Sequence, residues 1–68
     1  MDRVHYMVSG LVNSMSKTHV KNALEKIDGV NEVCVDLGRG SIEVIYNEQV
    51  KKDDIKRCIE DTGYHIES

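Results

Sequence analysis

The 68-residue chain has no Phe, no Trp and no Pro, and only three Tyr and two Cys. Without large aromatic residues, any core must be built mainly from aliphatic side chains. Two cysteines allow at most one disulfide. A chain of this length can bury only one compact core, so we expect a single domain over residues 1–68.

Several functional classes are disfavoured by what the sequence does not contain. The chain has nine basic and twelve acidic residues, and both kinds are scattered along it. We therefore expect no continuous basic surface of the kind that binds nucleic acid. The apolar runs are only a few residues long, against about 20 needed to span a bilayer, and no signal peptide is evident. We therefore expect no membrane insertion and a cytoplasmic location. No phosphate-binding loop or nucleophile-base arrangement is present, so an enzyme is not expected.

The first half of the chain reads as a strand, a loop and a helix. Val4, Tyr6 and Val8 alternate with polar residues, which predicts a half-buried strand. Gly10 ends it, and residues 11–16 show no period. An apolar stripe then recurs at helical spacing, at Val20, Ala23, Leu24 and Ile27. We expect Ser14 or Ser16 to be the N-cap of this helix and Asp28-Gly29 to end it.

The second half predicts a hairpin, a helix and a short last strand. Two alternating runs, 30–37 and 42–46, flank Gly38-Arg39-Gly40. Asp53-Asp54 opens a second helix, Gly63 stops it, and residues 64–67 form the last strand. This β-α-β-β-α-β order predicts an α+β, ferredoxin-like sandwich, with both helices on one face of a four-stranded antiparallel sheet in the order 4-1-3-2.

The two cysteines are predicted to lie on different sides of that sheet. Cys34 falls on the outer face of the hairpin, partly exposed, whereas Cys58 shares the inward stripe of Ile55 and Ile59 and is expected in the core. A disulfide cannot bridge that separation, so we expect two free thiols.

Four stretches of this sequence together match one known family. They are Gly10-Leu11, Val20 to Val30 with its closing Ile27-Asp28-Gly29-Val30, Val33-x-Val35, and Asp54-Ile55 to Ile59-Glu60-Asp61-Thr62-Gly63-Tyr64. The chain resembles the heavy-metal-associated domain, the module of bacterial copper chaperones and of the N-terminal arms of metal-pumping ATPases. The resemblance implies the same fold and covers almost the whole chain.

Counted without a gap from Gly10, the family's Cys-x-x-Cys metal motif falls on Asn13-Ser14-Met15-Ser16. Soft cations such as Cu(I) are held there by thiolates, which an amide and a hydroxyl cannot replace. We therefore expect no cofactor at this degenerate site, and a protein that docks without transferring soft metal. The resemblance implies a metal-transporting ATPase or a related heavy-metal-associated domain as its partner. The pattern fits a natural and an engineered loss of the cysteines equally well.

An alternative is a metal site rebuilt from other ligands, and only then are Cu(I) or Zn(II) expected. The candidate ligands are Met15 and His19 beside the loop, and Met7, His65, His5 and Cys34 on the sheet. If Val8 pairs near Tyr64, Met7 lies across from His65 and His5 across from Glu67. Each of these residues also has an ordinary structural interpretation as a solvated surface group.

The remaining loop residues have structural roles to weigh. Asn13 and Ser16 are residue types that satisfy the free N–H groups at the start of a helix, or they contribute to a docking surface. Leu11 and Tyr64 are expected to pack together and to close that end of the core, with the Tyr64 hydroxyl at the surface.

Overall fold

The computed structural model describes residues 1–11 and 13–67, and these fold in the predicted order. The strands are β1 (Asp2–Ser9), β2 (Val30–Asp36), β3 (Ser41–Tyr46) and β4 (His65–Ile66). The helices are α1 (Ser14–Glu25) and α2 (Lys52–Asp61). The sheet is antiparallel with strand order β2-β3-β1-β4, so the ferredoxin-like prediction is confirmed. Within the described residues, neither helix is long and apolar enough to span a bilayer.

An aliphatic core fills the space between the helices and the sheet. Its fully buried members come from all layers, because each element places alternate or helically spaced apolar residues inward. Those with essentially no exposed surface are Val20, Leu24, Ile42, Val44, Ile55 and Ile59. Tyr46 is the one buried aromatic residue in the described part of the chain. The strand period and the helix period thus converge on one core, as the sequence pattern predicts.

The start of α1 differs from the prediction by one cap position. Asn13 is the N-cap, with an extended backbone (φ −157°, ψ 177°), and Ser14 is already the first helical residue. The predicted caps, Ser14 and Ser16, are wrong. An N-cap side chain accepts a hydrogen bond from the free backbone N–H two or three residues further on, and the Asn13 side-chain oxygen does this. Ser14 already has helical backbone angles, so it is not the cap residue.

The edge strand β4 is shorter than predicted, and its register differs. Val8 pairs with Ile66 and Ser9 with His65, whereas Val8 was expected near Tyr64. The backbone N–H of Glu67 donates to the carbonyl oxygen of Met7 at 2.7 Å, which fixes this alignment. A shift of two residues keeps the same side chains facing the core, so the apolar pattern could not distinguish the two registers.

Candidate functional site

The loop before α1 is organised by the side chain of Asn13. Its Oδ1 accepts a hydrogen bond from the backbone N–H of Ser16 at 2.9 Å, and its own carbonyl oxygen accepts one from the N–H of Lys17 at 3.2 Å. The first bond satisfies one of the N–H groups that a helix start leaves free, and the second is the first regular hydrogen bond of the helix. The interpretation of Asn13 as a capping residue is confirmed, whereas the Ser16 side chain does not act as the cap.

Tyr64 approaches the same loop from the far end of the chain. Its hydroxyl donates to the carbonyl oxygen of Ser16 at 3.3 Å, across 48 positions of sequence. The edge of its ring lies so close to Gly10 that a Cβ on Gly10 would be 2.9 Å from the Tyr64 Cδ1. Leu11 is buried, and Tyr64 is half-buried against the same core cluster. The Tyr64 hydroxyl is thus engaged with the loop, where the sequence suggested only a surface position.

Met15 and His19 lie one turn apart on the exposed side of α1. Met15 is 82% exposed, and His19 is exposed as well. No acidic residue lies in the first turn of α1. Among residues 1–11 and 13–67, no three side chains of His, Cys, Asp or Glu gather in an arrangement that could hold a metal ion. Beside the loop, the candidate soft donors are therefore one thioether and one imidazole.

A groove of about 480 Å³ runs between α1 and α2. Its α1 side presents His19, Ala23 and, just past the helix, Ile27. Its α2 side presents Asp54, Arg57, Cys58 and Asp61. Sequence reasoning missed this groove, because the apolar stripe of each helix shows which residues turn inward but not how far apart the helices lie.

Both cysteines are free thiols, as expected. Cys34 is exposed on β2, with its Sγ 4.0 Å from the Glu32 Oε1. Cys58 was predicted to lie in the core, but it is only half-buried, because it faces the gap between the helices and not the sheet. Burial raises the pKa of the Cys58 thiol, and the nearby Asp61 carboxylate raises it further. Both effects disfavour the thiolate form of Cys58.

The outer face of the sheet does not bring Met7 opposite His65. His65 pairs with Ser9, whose hydroxyl lies 3.5 Å from the His65 carbonyl oxygen, while Glu67 is the residue beside Met7. His5 pairs with Glu43 of β3. The predicted cross-strand pairs of Met7 with His65 and of His5 with Glu67 are therefore wrong, and the reason is the two-residue change in β4 register.

The comparisons with known proteins agree with this geometry. The model of the heavy-metal-associated domain family matches residues 6–65, which includes both helices and the loop between β1 and α1. The chain belongs to the heavy-metal-associated family. This confirms the family that the residue pattern suggested.

Its relatives include copper chaperones and a copper-binding domain of a P-type ATPase. The copper chaperone CopZ of Staphylococcus haemolyticus is 36% identical, over 88% of this chain and 98% of that protein. A solved structure of a CopZ metallochaperone superimposes with a TM-score of 0.93 at 33% identity, covering 97% of this chain and all of that one. A copper-binding domain from HMA7, a P-type ATPase, gives 0.89 at 30% identity, covering 100% and 96%.

Proposed function

We propose that this heavy-metal-associated protein docks onto a related domain, such as one in a cytoplasmic arm of a metal-transporting ATPase, without carrying a soft metal on its loop. The observation that carries the proposal is the Asn13 side chain, whose oxygen is engaged in capping the Ser16 N–H at 2.9 Å. In this proposal, Asn13 and Ser16 occupy the positions of the family's two cysteines. A thioether on Met15 and the two polar side chains offer no thiolate for Cu(I).

The family fold supplies the docking surface in this proposal. The first turn of α1, which is held by hydrogen bonds to the Asn13 and Tyr64 side chains, presents the exposed Met15. An exposed apolar side chain on an ordered helix start is a feature that a protein partner can bury. The names of the relatives, copper chaperones and a copper-binding ATPase domain, indicate the class of partner.

A nuclear magnetic resonance titration tests the docking. The 15N-labelled protein, reduced and held in a copper chelator, is titrated with the heavy-metal-associated domain of an ATPase from the same organism. We expect amide shifts that saturate and that centre on residues 13–19, with no metal present. An unrelated ferredoxin-like domain serves as the control. No saturating shift at about millimolar partner, a level that even weak complexes with a Kd near 1 mM populate, would contradict the proposal.

A second candidate function is metal binding by a rebuilt site. It is favoured by one observation, namely that Met15 and His19 are exposed and lie at i and i+4 on α1, a spacing that places two side chains on the same side of a helix. Cu(I) or Zn(II) would be the cargo, and Met7 and His65 would not contribute to the same centre. The double variant Met15→Leu/His19→Gln should abolish any measured affinity in this case. Unchanged affinity would exclude the loop version.

A further inference from the structure

We infer that the side chains of Asn13 and Tyr64 together hold the start of α1 in its ordered form without a metal ion, through two hydrogen bonds that meet on Ser16. We call this pair of hydrogen bonds the clamp, and each bond one arm of it. The inference deepens the proposed function and rests on it for the role of the loop. Both backbone polar groups of Ser16 are engaged by side chains from elsewhere. Its N–H donates to the Asn13 Oδ1, and its carbonyl oxygen accepts from the Tyr64 hydroxyl.

The first arm of the clamp spans three residues. In the family motif, two thiolates and one metal ion join positions three apart at the start of α1. In this chain the Asn13 side chain joins the same two positions, by a 2.9 Å hydrogen bond to Ser16. The bond needs no ion and no change of oxidation state. It also satisfies a helix-terminal donor, so it stabilises the helix start as well as the loop.

The second arm ties the loop to the end of the sheet. Tyr64 directly precedes β4, whose alignment on β1 is fixed by the Val8 and Ser9 pairs. The carbonyl oxygen of Ser16 has a second lone pair beyond the one used within the helix, and the Tyr64 hydroxyl takes it at 3.3 Å. The arm therefore couples the start of α1 to the edge strand.

Gly10 makes the second arm possible. Its φ of +100° and the 2.9 Å distance from an added Cβ to the Tyr64 Cδ1 mean that only glycine lets the edge of the ring come this close to the chain. The ring then brings its hydroxyl to Ser16. The Gly10 backbone, the Tyr64 ring and the Asn13 cap thus together determine the position of Ser16, and no metal ion takes part.

The clamp is tested without a partner, by amide hydrogen exchange and a double-mutant cycle. Tyr64→Phe removes only the hydroxyl, and we expect the Ser16 and Lys17 amides to exchange severalfold faster, as loss of one hydrogen bond predicts. Asn13→Ala should remove the protection of the Ser16 amide. Because both bonds meet on Ser16, the effects on the unfolding equilibrium constant should depart from additivity by at least about threefold.

The matched control is Tyr6→Phe, which removes a half-buried tyrosine hydroxyl on β1, away from the loop. Its cycle with Asn13→Ala should be additive to within about twofold. Exchange rates in the wild type should be the same with a copper chelator and with one equivalent of Cu(I). Additive behaviour of Asn13 and Tyr64 would overturn the inference, and so would loop protection that appears only when metal is added. Neither result depends on whether the ATPase domain binds.

Discussion

Gly10 and Tyr64 are neighbours in the folded chain, and a Cβ added to the glycine would lie only 2.9 Å from Cδ1 at the edge of the tyrosine ring. Gly10 directly follows β1 and Tyr64 directly precedes β4, so their contact joins the end of the sheet to the loop before α1. Glycine is needed where a ring approaches the backbone this closely, because any other residue would place a Cβ in the same space. The contact helps to hold the loop before α1 in place through protein contacts alone.

Gly10→Ala should destabilise the protein by about 2 kcal/mol or more, because it adds a positive-φ penalty to a steric conflict with the ring. Urea unfolding followed by circular dichroism measures the change. The matched control is Gly63→Ala, which has nearly the same φ, +101°, but has no heavy atom within 4 Å of the new Cβ. We expect the control to cost about 1 kcal/mol, from backbone strain alone. Equal losses in the two variants would show that the Tyr64 contact is not made.

Asn13→Ala should lower the free energy of unfolding by about 1 kcal/mol, since it removes the N-cap of α1. Asn13→Asp keeps an acceptor at the cap and should restore most of the loss. Thermal unfolding of the three proteins under identical conditions gives the comparison. Ser14→Ala, one position into the helix, is the control and should change stability little. A larger loss for Ser14→Ala than for Asn13→Ala would move the cap to the position that the sequence suggested.

Stability should fall in alkaline solution through Cys58. Its pKa is raised in the folded protein, so the folded state binds this proton more tightly than the unfolded chain does. The resulting stabilisation is complete below the ordinary thiol pKa of about 8.5 and is lost as pH rises through the folded value. Urea unfolding in a phosphine reductant at pH 7 and pH 10 should show a smaller pH effect for Cys58→Ala than for wild type.

Cys34→Ala is the matched control for that comparison, since Cys34 is exposed on the outer face of the sheet. It should leave the difference between pH 7 and pH 10 as large as in wild type. Tyr6 contributes to the same alkaline loss at higher pH, because burial, Tyr46 and Asp53 raise its pKa. An identical pH effect in wild type and Cys58→Ala would contradict the environment described for this thiol.

The sequence predicts the layers of this fold well and its ends poorly. Val20, Leu24, Ile55 and Ile59 follow from helical spacing alone, and all four are fully buried. The register of β4 does not follow, because a two-residue strand carries too little pattern and a shift by two preserves the inward face. The contact between Gly10 and Tyr64 joins residues far apart in sequence, so no local pattern announces it.

The loop before α1 is likewise predicted in part: the sequence gives the suitable residue types but not the contacts that they make. That Asn13 and Ser16 suit a helix start follows from residue chemistry, but three candidates for the cap lie within four positions, and only the backbone geometry selects Asn13. The Tyr64 hydroxyl was expected at the surface because nothing in the sequence places an acceptor beside it. The carbonyl oxygen of Ser16 takes that place in the folded chain.

Competition for Cu(I) with a coloured chelator tests the central claim, that the loop of this heavy-metal-associated protein holds no soft metal. The reduced wild type is compared with Asn13→Cys/Ser16→Cys, which introduces two thiolates at the start of α1. We predict that the wild type leaves the chelator loaded, whereas the double variant withdraws about one equivalent, as two thiolates on a soft ion require. Stoichiometric withdrawal of Cu(I) by the wild type would contradict the account.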